Sequence, residues 1–371
     1  MADRDCALEG LEMIQFGNVY RGCRALITGH TGFKGSWLTY WLNELGAQVA
    51  GISLDPETQP NHWDLLDLSI DDHRVDIRSA ENVRAVVNTF QPYIVFHLAA
   101  QPLVRRSYRE PIENWSSNLM GSAHVLDACR YVKSVRAIVA ITTDKVYANQ
   151  EWLWGYRESD RLGGYDPYSA SKAACELLID SYRNSFFREE DGPLLASARA
   201  GNVIGGGDWS EDRLIPDLVR SVDKHKPLII RSPNATRPWQ HVLECLAGYL
   251  LLGQKLLEGG QEYVGAWNFG PTGEGNRTVS EVLNMLQAYW ADLKWQQTQV
   301  PQPHESTLLY LDHSKSNWEL GWRPVWGLEQ ALYATADWYR QFQEKGVILS
   351  AEQLEKYIDH ACSAGVSWVQ K

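Results

Sequence analysis

Short β-branched and aliphatic runs alternate with longer amphipathic stretches through the first half of the chain. Residues 24–28 (RALIT), 48–53 (QVAGIS), 93–97 (YIVFH), 136–142 (RAIVAIT) and 195–199 predict strands. Helices are predicted over 37–45, near 80–89, over 118–131 and over 168–187. Strands separated by helices at this spacing are parallel and joined by crossovers, so the fold class is α/β, a Rossmann-type doubly wound parallel sheet. From about Gly205 the pattern loosens, and Pro216, Pro227, Pro233, Pro238, Pro271, Pro301, Pro303 and Pro324 cut it into short pieces. That stretch predicts a smaller C-terminal substrate-binding lobe on the carboxyl edge of the sheet. The expected organisation is an extension over 1–20, a dinucleotide-binding domain mainly over 21–205, the lobe mainly over 206–340 with the chain free to cross back to the sheet, and a helical extension over 341–371.

Composition narrows the function. The 371 residues are 44% hydrophobic and 22% charged, ordinary for a globular chain and too apolar for a disordered one. A net charge of −11 disfavours broad contact with nucleic acid or a membrane surface, and leaves room for a local basic pocket. The 16 tryptophans are scattered without interleaved basic residues, which reads as packing rather than a base-stacking platform. Six widely spaced cysteines without a C-x-x-C pair suggest neither a disulfide framework nor a zinc site, so no metal is expected. Residues 1–10 lack the apolar core of a signal peptide, and no run approaches a membrane span. A cytoplasmic protein is the expectation.

The first strand is followed directly by Gly29, His30, Thr31, Gly32, Phe33, Lys34 and Gly35. Glycines at a strand-to-helix junction let the backbone turn tightly and approach a pyrophosphate, which the helix N-terminus holds through free N–H groups. Asp55, about 20 residues on, is placed to take the ribose hydroxyls of NAD and to repel an added phosphate; a simple turn before Pro56 would use the same residue. Asp76 and Ile77, beyond the expected third strand, suit an adenine contact. Tyr168 and Lys172 lie four apart, on one helical face. A phenol with an ordinary pKa of about 10 is a poor base at neutral pH, and a neighbouring ammonium and a cationic nicotinamide both favour its phenolate. Such a pair alone is also what a surface helix carries; following Thr142-Thr143-Asp144-Lys145 at a strand end, it points to proton transfer coupled to hydride transfer.

From TGHTGFKG (28–35) through HLAAQ (97–101) to YSASK (168–172), the chain resembles the extended short-chain dehydrogenases/reductases over about residues 20–340. Within that superfamily LVRRSY, TTDKVY, RAGNVIGGGDW, EDRLIPD and RPWQHVLE are similar to the CDP-glucose 4,6-dehydratases. The resemblance implies NAD as cofactor, held by residues 29–35, Asp55, Asp76, Ile77, Leu98, Ala99, Ala100, Tyr168 and Lys172. It implies CDP-glucose as substrate, with Gln101, Arg105, Asn202, Arg213, Leu214, Arg231 and Arg237 as binding candidates. Oxidation at C4 by Tyr168, Lys172 and Thr143, loss of water across C5 and C6, and reduction at C6 would follow. Asp144 matches the acid for the C6 hydroxyl, and Lys145 stands where thymidine-type relatives have Glu. Neutral Lys145 as C5 base is one reading, its ammonium stabilising the enolate the other. Another nucleotide-sugar dehydratase, a 4-epimerase and an NAD-sensing protein are the alternatives. By analogy the helices at 118–131 and 168–187 pair copies into a homodimer or homotetramer. His30, where many relatives of the wider superfamily carry Gly or Ala, is expected to crowd the pyrophosphate turn and weaken NAD⁺ retention.

Overall fold

Leu26 faces one side of the sheet while Ala25 and Ile27 face the other, and both sides are apolar cores. A strand buried on both faces must be central, and Arg24–Thr28 is. In the computed structural model, which describes residues 13–188, 192–298 and 308–370, it sits inside a seven-stranded parallel sheet. The order is Gly265–Phe269, Leu194–Ala200, Ala137–Ile141, Ile94–His97, Arg24–Thr28, Gln48–Ser53, Asp71–Arg74. Chain order reverses between Arg24–Thr28 and Ile94–His97, which opens a crevice at their carboxyl ends.

One face is covered by the helices Ala80–Phe90 and Gly121–Arg130 through Val83, Val87, Val125 and Leu126. The other is covered by Phe33–Glu44 and Val242–Leu257, with Trp37, Trp41 and Leu246 in the core. The expected strands form at nearly the expected bounds. The first helix starts four residues earlier than the apolar spacing indicates, at Phe33, because Gly32 occupies the N-cap and the glycine loop is part of the helix entry.

The second half of the chain is interleaved with the sheet. Helix Val242–Leu257 and strand Gly265–Phe269 complete its layers, whereas Asn202–Ile204, Thr236–His241 and Asn276–Thr278 form a separate three-stranded sheet beside the crevice. The C-terminal helices, Leu328–Lys345 and Ser350–Ser363, pack back over the first helix. His62 fastens them, meeting Ser36 Oγ through Nδ1 and Ser350 Oγ through Nε2 at 2.8 Å each. Ile14–Gln15 then pairs antiparallel with Val369–Gln370. Cys6 and most of the expected N-terminal extension lie outside the described residues.

Glu244, fully buried, ties this C-terminal layer to the sheet helix. Its carboxylate accepts from the N–H groups of Val325 (2.9 Å) and Trp326 (2.6 Å) and from the Tyr357 hydroxyl (3.0 Å). Burial pushes it from 4.5 up to about 7. We expect Glu244→Ala to cost about 3 kcal/mol, since three buried donors lose their acceptor. The folded-state value lies above the unfolded one. The contribution is therefore complete below pH 4.5 and shrinks as pH rises through about 7. Urea unfolding of both proteins across that window measures the difference.

Candidate active site

The crevice is a cleft of about 960 Å³ lined from the glycine loop to the three-stranded sheet. Gly29 has φ +78°, and a Cβ there would lie 2.8 Å from the Ala99 nitrogen. A Cβ on Gly35 would lie 1.9 Å from the Gly29 carbonyl oxygen, so the helix can seat on the loop only with glycine there. Gly32 caps the helix without a side chain, leaving the first-turn N–H groups facing the cleft without intrahelical acceptors. This cradle fits a dinucleotide pyrophosphate. Thr31 fixes its outer edge, meeting Ser53 Oγ at 2.7 Å and donating to the Leu54 carbonyl at 3.0 Å.

Phe33, Lys34, Asp55, Asp76, Ile77, Leu98, Ala99 and Ala100 all line the same cleft. The Asp55 carboxylate is largely exposed, 3.7 Å from Arg74 Nε. Asp76 accepts from the Arg78 side chain and is held below the usual carboxylate range by it. Ile77 is buried, in the space a Cβ on Gly121 would need.

His30 departs from expectation. Its ring turns away from the cleft onto Gly51, where a Cβ would come within 2.4 Å of it, and packs edge-on against Trp63. Nε2 meets Asp72 Oδ1 at 2.9 Å, and burial holds the ring below the usual histidine range. The bulk of His30 therefore fills the sheet edge and does not crowd the pyrophosphate turn.

At the other end of the cleft, strand Ala137–Ile141 delivers Thr142, Thr143, Asp144 and Lys145. Thr143 caps the short turn Asp144–Val146, and its hydroxyl donates to Asp144 Oδ1 at 2.9 Å. Asp144 is 2% exposed, its Oδ2 has no hydrogen-bond partner among the described residues, and burial raises its pKa. Helix Pro167–Phe186, capped by Asp166, brings in Tyr168 and Lys172. Tyr168 is hydrogen-bonded to Thr143, but burial pushes its pKa up to about 12 and the nearby Asp144 adds to the rise. Lys172 donates to the Ile141 carbonyl at 3.0 Å, and burial holds it below the ordinary lysine range. Burial of Tyr168 thus works against the phenolate that a neighbouring ammonium and a cationic nicotinamide would favour.

The substrate candidates divide. Asn202, Arg105, Arg213, Leu214, Arg231 and Arg237 line the cleft. Gln101 lines it too, but its carboxamide is turned inward. Nε2 donates to the Leu103 carbonyl (3.1 Å) and Asn114 Oδ1 (3.2 Å), while Oε1 accepts from the Leu103 nitrogen. The side chain shapes the turn and is not presented to a ligand. The arginines meet carboxylates that the sequence reading left unassigned. Arg105 and Arg231 approach Asp212 at 3.0 and 3.8 Å, and Arg213 approaches Asp208 at 3.1 Å. Asp212, which Arg109 also approaches at 3.9 Å, stood within a quoted motif, but nothing in the motif marks it as bridging three guanidinium groups.

Sequence reasoning also missed Glu176, two turns below Tyr168. It accepts from Thr142 Oγ1, from Ser197 Oγ at 2.8 Å and from Arg199 Nη2 at 2.8 Å. A mid-helix Glu reads as solvated; only the arginine on a buried strand could have signalled a partner.

Comparison with known proteins adds to this geometry. A family model described as GDP-mannose 4,6 dehydratase matches residues 26–335. A CDP-glucose 4,6-dehydratase from Salmonella typhimurium is 47% identical over 350 residues, covering 92% of this chain and 98% of that one. Among solved structures, a UDP-glucose 4-epimerase from Thermus thermophilus in complex with NAD superposes with TM-score 0.73 at 26% identity, covering 85% of this chain and 99% of that one. A dTDP-glucose 4,6-dehydratase from Streptomyces venezuelae with NAD bound shares the fold, with TM-score 0.73 at 23% identity over 87% of this chain and 98% of that one.

The placement of His30 yields a test on ligand-free protein. His30→Ala should lower stability by about 2 kcal/mol, from the cavity beside Gly51 and Trp63 and the unpaired Asp72. Denaturant unfolding reads the loss; a variant as stable as the parent would contradict this account of the ring.

Proposed function

The chain belongs to the GDP-mannose 4,6-dehydratase family of extended short-chain dehydrogenases/reductases, and from that premise we propose that it converts CDP-D-glucose to CDP-4-dehydro-6-deoxy-D-glucose with NAD. The observation that carries this reading is Asp144, a buried carboxylate with a raised pKa and an unpartnered oxygen, linked through Thr143 to Tyr168. Oxidation and re-reduction at C4, as in an epimerase, need no second acid. Removal of the C6 hydroxyl does.

The dinucleotide would be held by the glycine loop, Asp55, Asp76, Ile77 and residues 98–100, with Lys172 beside it. When bound, the nicotinamide supplies a place where two electrons are lent and later returned. Tyr168 receives the O4 proton while Thr143 hydrogen-bonds O4. The ketone at C4 acidifies the C5 hydrogen. Lys145 removes that proton as a neutral amine or stabilises the enolate as an ammonium, and Asp144 gives its proton to the departing C6 hydroxyl. Arg105, Arg213, Arg231 and Arg237 would neutralise the substrate diphosphate, exchanging Asp208 and Asp212 for phosphate oxygens where they pair.

Ile112, Trp115, Met120 and Leu177 are exposed on the helices at 111–130 and 167–186. These apolar positions support a homo-oligomer paired through that face. Leu177→Asp is expected to shift sedimentation toward the monomer.

The first test is mass spectrometry of CDP-glucose, UDP-glucose, dTDP-glucose and GDP-mannose, each incubated with protein and NAD⁺. Loss of one water from CDP-glucose alone is expected. Loss from another donor would overturn the nucleotide assignment, and no mass change in any would overturn the dehydration. Asp144→Asn should lower turnover by about 10²–10⁴-fold while C4 oxidation, read as absorbance of the reduced cofactor, persists. Lys145→Met should lose solvent exchange at C5; exchange at the wild-type rate would sink both roles for Lys145.

A further inference from the structure

Two of the arginines proposed to meet the diphosphate stand at the ends of two elements. Arg213 is the N-cap of helix Leu214–Asp223, and Arg231 directly follows strand Leu228–Ile230. Helix and strand pack together, and both line the cleft. With the sugar at Thr143 and Tyr168 and the diphosphate at the arginines, the nucleobase falls between this helix and strand. Leu214 and Ile229 give that space apolar walls, and Ile229 is exposed. Asp217 is the one carboxylate that either element presents to the cleft among the described residues. It lies one turn beyond Arg213, about 6 Å along the helix axis. Arg220 donates to its Oδ1, and is itself held by the carbonyls of Trp209 at 2.7 Å and Ser210 at 3.0 Å. An i,i+3 pair on a helix surface is usually loose. Here the guanidinium is pinned to the loop and holds the carboxylate in one place. Oδ2 has no hydrogen-bond partner among the described residues, and the side chain is 30% exposed.

We propose that Asp217 selects cytosine over uracil and thymine, its free carboxylate oxygen accepting from the 4-amino group. The inference rests on the CDP-glucose reading and adds to it the residue that reads the base. Cytosine presents an N–H donor at that position, whereas uracil and thymine present a carbonyl oxygen. Offered the first, a carboxylate gains a charge-assisted hydrogen bond. Offered the second, it faces another acceptor, and both lose their water without a replacement. Arg220, the donor that could serve such an oxygen, is turned to Trp209, Ser210 and Asp217. Burial raises the Asp217 carboxyl against the pull of Arg220, and a further N–H donor offsets that cost.

Calorimetry of CDP, UDP and dTDP binding tests this. The parent protein should hold CDP about tenfold more tightly than UDP or dTDP. Asp217→Asn, whose amide can turn a donor toward O4, should lose affinity for CDP and gain it for UDP, erasing the preference. A merely structural role would weaken all three alike. The diphosphate of the 2-pyrimidinone ribonucleoside, which is cytidine without its amino group, should bind the parent about tenfold more weakly than CDP, and the variant no more weakly than CDP. If Asp217→Asn does not fold, Asp217→Ser is compared with CDP and the 2-pyrimidinone ligand in the same way. A CDP preference that survives in the folded variant, or equal weakening of every diphosphate, would overturn the proposal while leaving the CDP-glucose reading in place. A parent protein with no preference for CDP over UDP would refute the base assignment of that reading, a separate outcome, and the proposal with it.

Discussion

The position of helix Pro167–Phe186 depends on one buried carboxylate. Glu176 lies on the same helical face as Tyr168 and Lys172, one turn beyond the lysine, and is wholly enclosed. It gathers a hydroxyl from Thr142, at the end of one strand, and a hydroxyl and a guanidinium from Ser197 and Arg199, on the next. Arg199 continues to the Tyr147 hydroxyl at 2.8 Å. Together these bonds fix the helix in rotation and height over the sheet edge. Despite burial, the carboxylate is held below the ordinary glutamate range by Arg199 and its hydroxyl partners, so it stays charged. Removing one partner would strand a buried charge at about 3–5 kcal/mol. Such a pair contributes geometric definition more than net stability. On the proposed reaction, proton transfer between Tyr168 and a sugar hydroxyl needs that definition.

On the proposed function, the chain reconciles a net charge of −11 with an anionic substrate by concentrating arginines in one cleft and pairing them within it. The loop carrying Asp208 and Asp212 faces Arg105, Arg213 and Arg231 from the lobe side. Without ligand these carboxylates lower the electrostatic cost of guanidinium groups lining a shared cleft. A diphosphate presents similar oxygens in a comparable arrangement and can take their place. Overall charge is therefore a poor guide to the ligand, because the arginines act within a short range where solvent screening is weak.

What was legible in the sequence is what repeats or is locally compelled. Strands buried on both faces produce continuous apolar runs, so Arg24–Thr28, Gln48–Ser53 and Ala137–Ile141 stand out. The glycine loop is legible because no other residue can occupy Gly29 or Gly35 without striking backbone. Side-chain direction was not legible. Gln101 turns inward because Asn114 and the Leu103 backbone satisfy it, and His30 turns down because Gly51 leaves it a space; neither Asn114 nor Gly51 is a local neighbour in the chain. A return of the chain to the sheet was expected, but that Gly265–Phe269 is the segment that makes it was hidden for a similar reason. It pairs residue by residue with Leu194–Ala200 across an intervening lobe, and pairing leaves no trace in either strand alone. Charge partnerships such as Asp212 with three arginines likewise depend on loops that only the fold brings together.

Asp144 and Tyr168 share one hydroxyl, Thr143, and this constrains the order of proton movements. Both are buried, and each disfavours negative charge on the other. A state with both ionised is the costliest. A state with both neutral leaves no base for O4. On the proposed reaction the negative charge must first sit on Tyr168 with the proton on Asp144, an arrangement that burial of Tyr168 opposes and that a cation nearby has to offset. Once Tyr168 has taken the O4 proton, Asp144 is free to release its own to the leaving hydroxyl. The pair thus carries a single negative charge before and after, relocated from phenol to carboxylate. A buried site that keeps its total charge constant avoids a second desolvation penalty between the steps. The same argument explains why the unpartnered Oδ2 of Asp144 is tolerated: a protonated carboxyl held for a ligand costs far less than an anion in the same place.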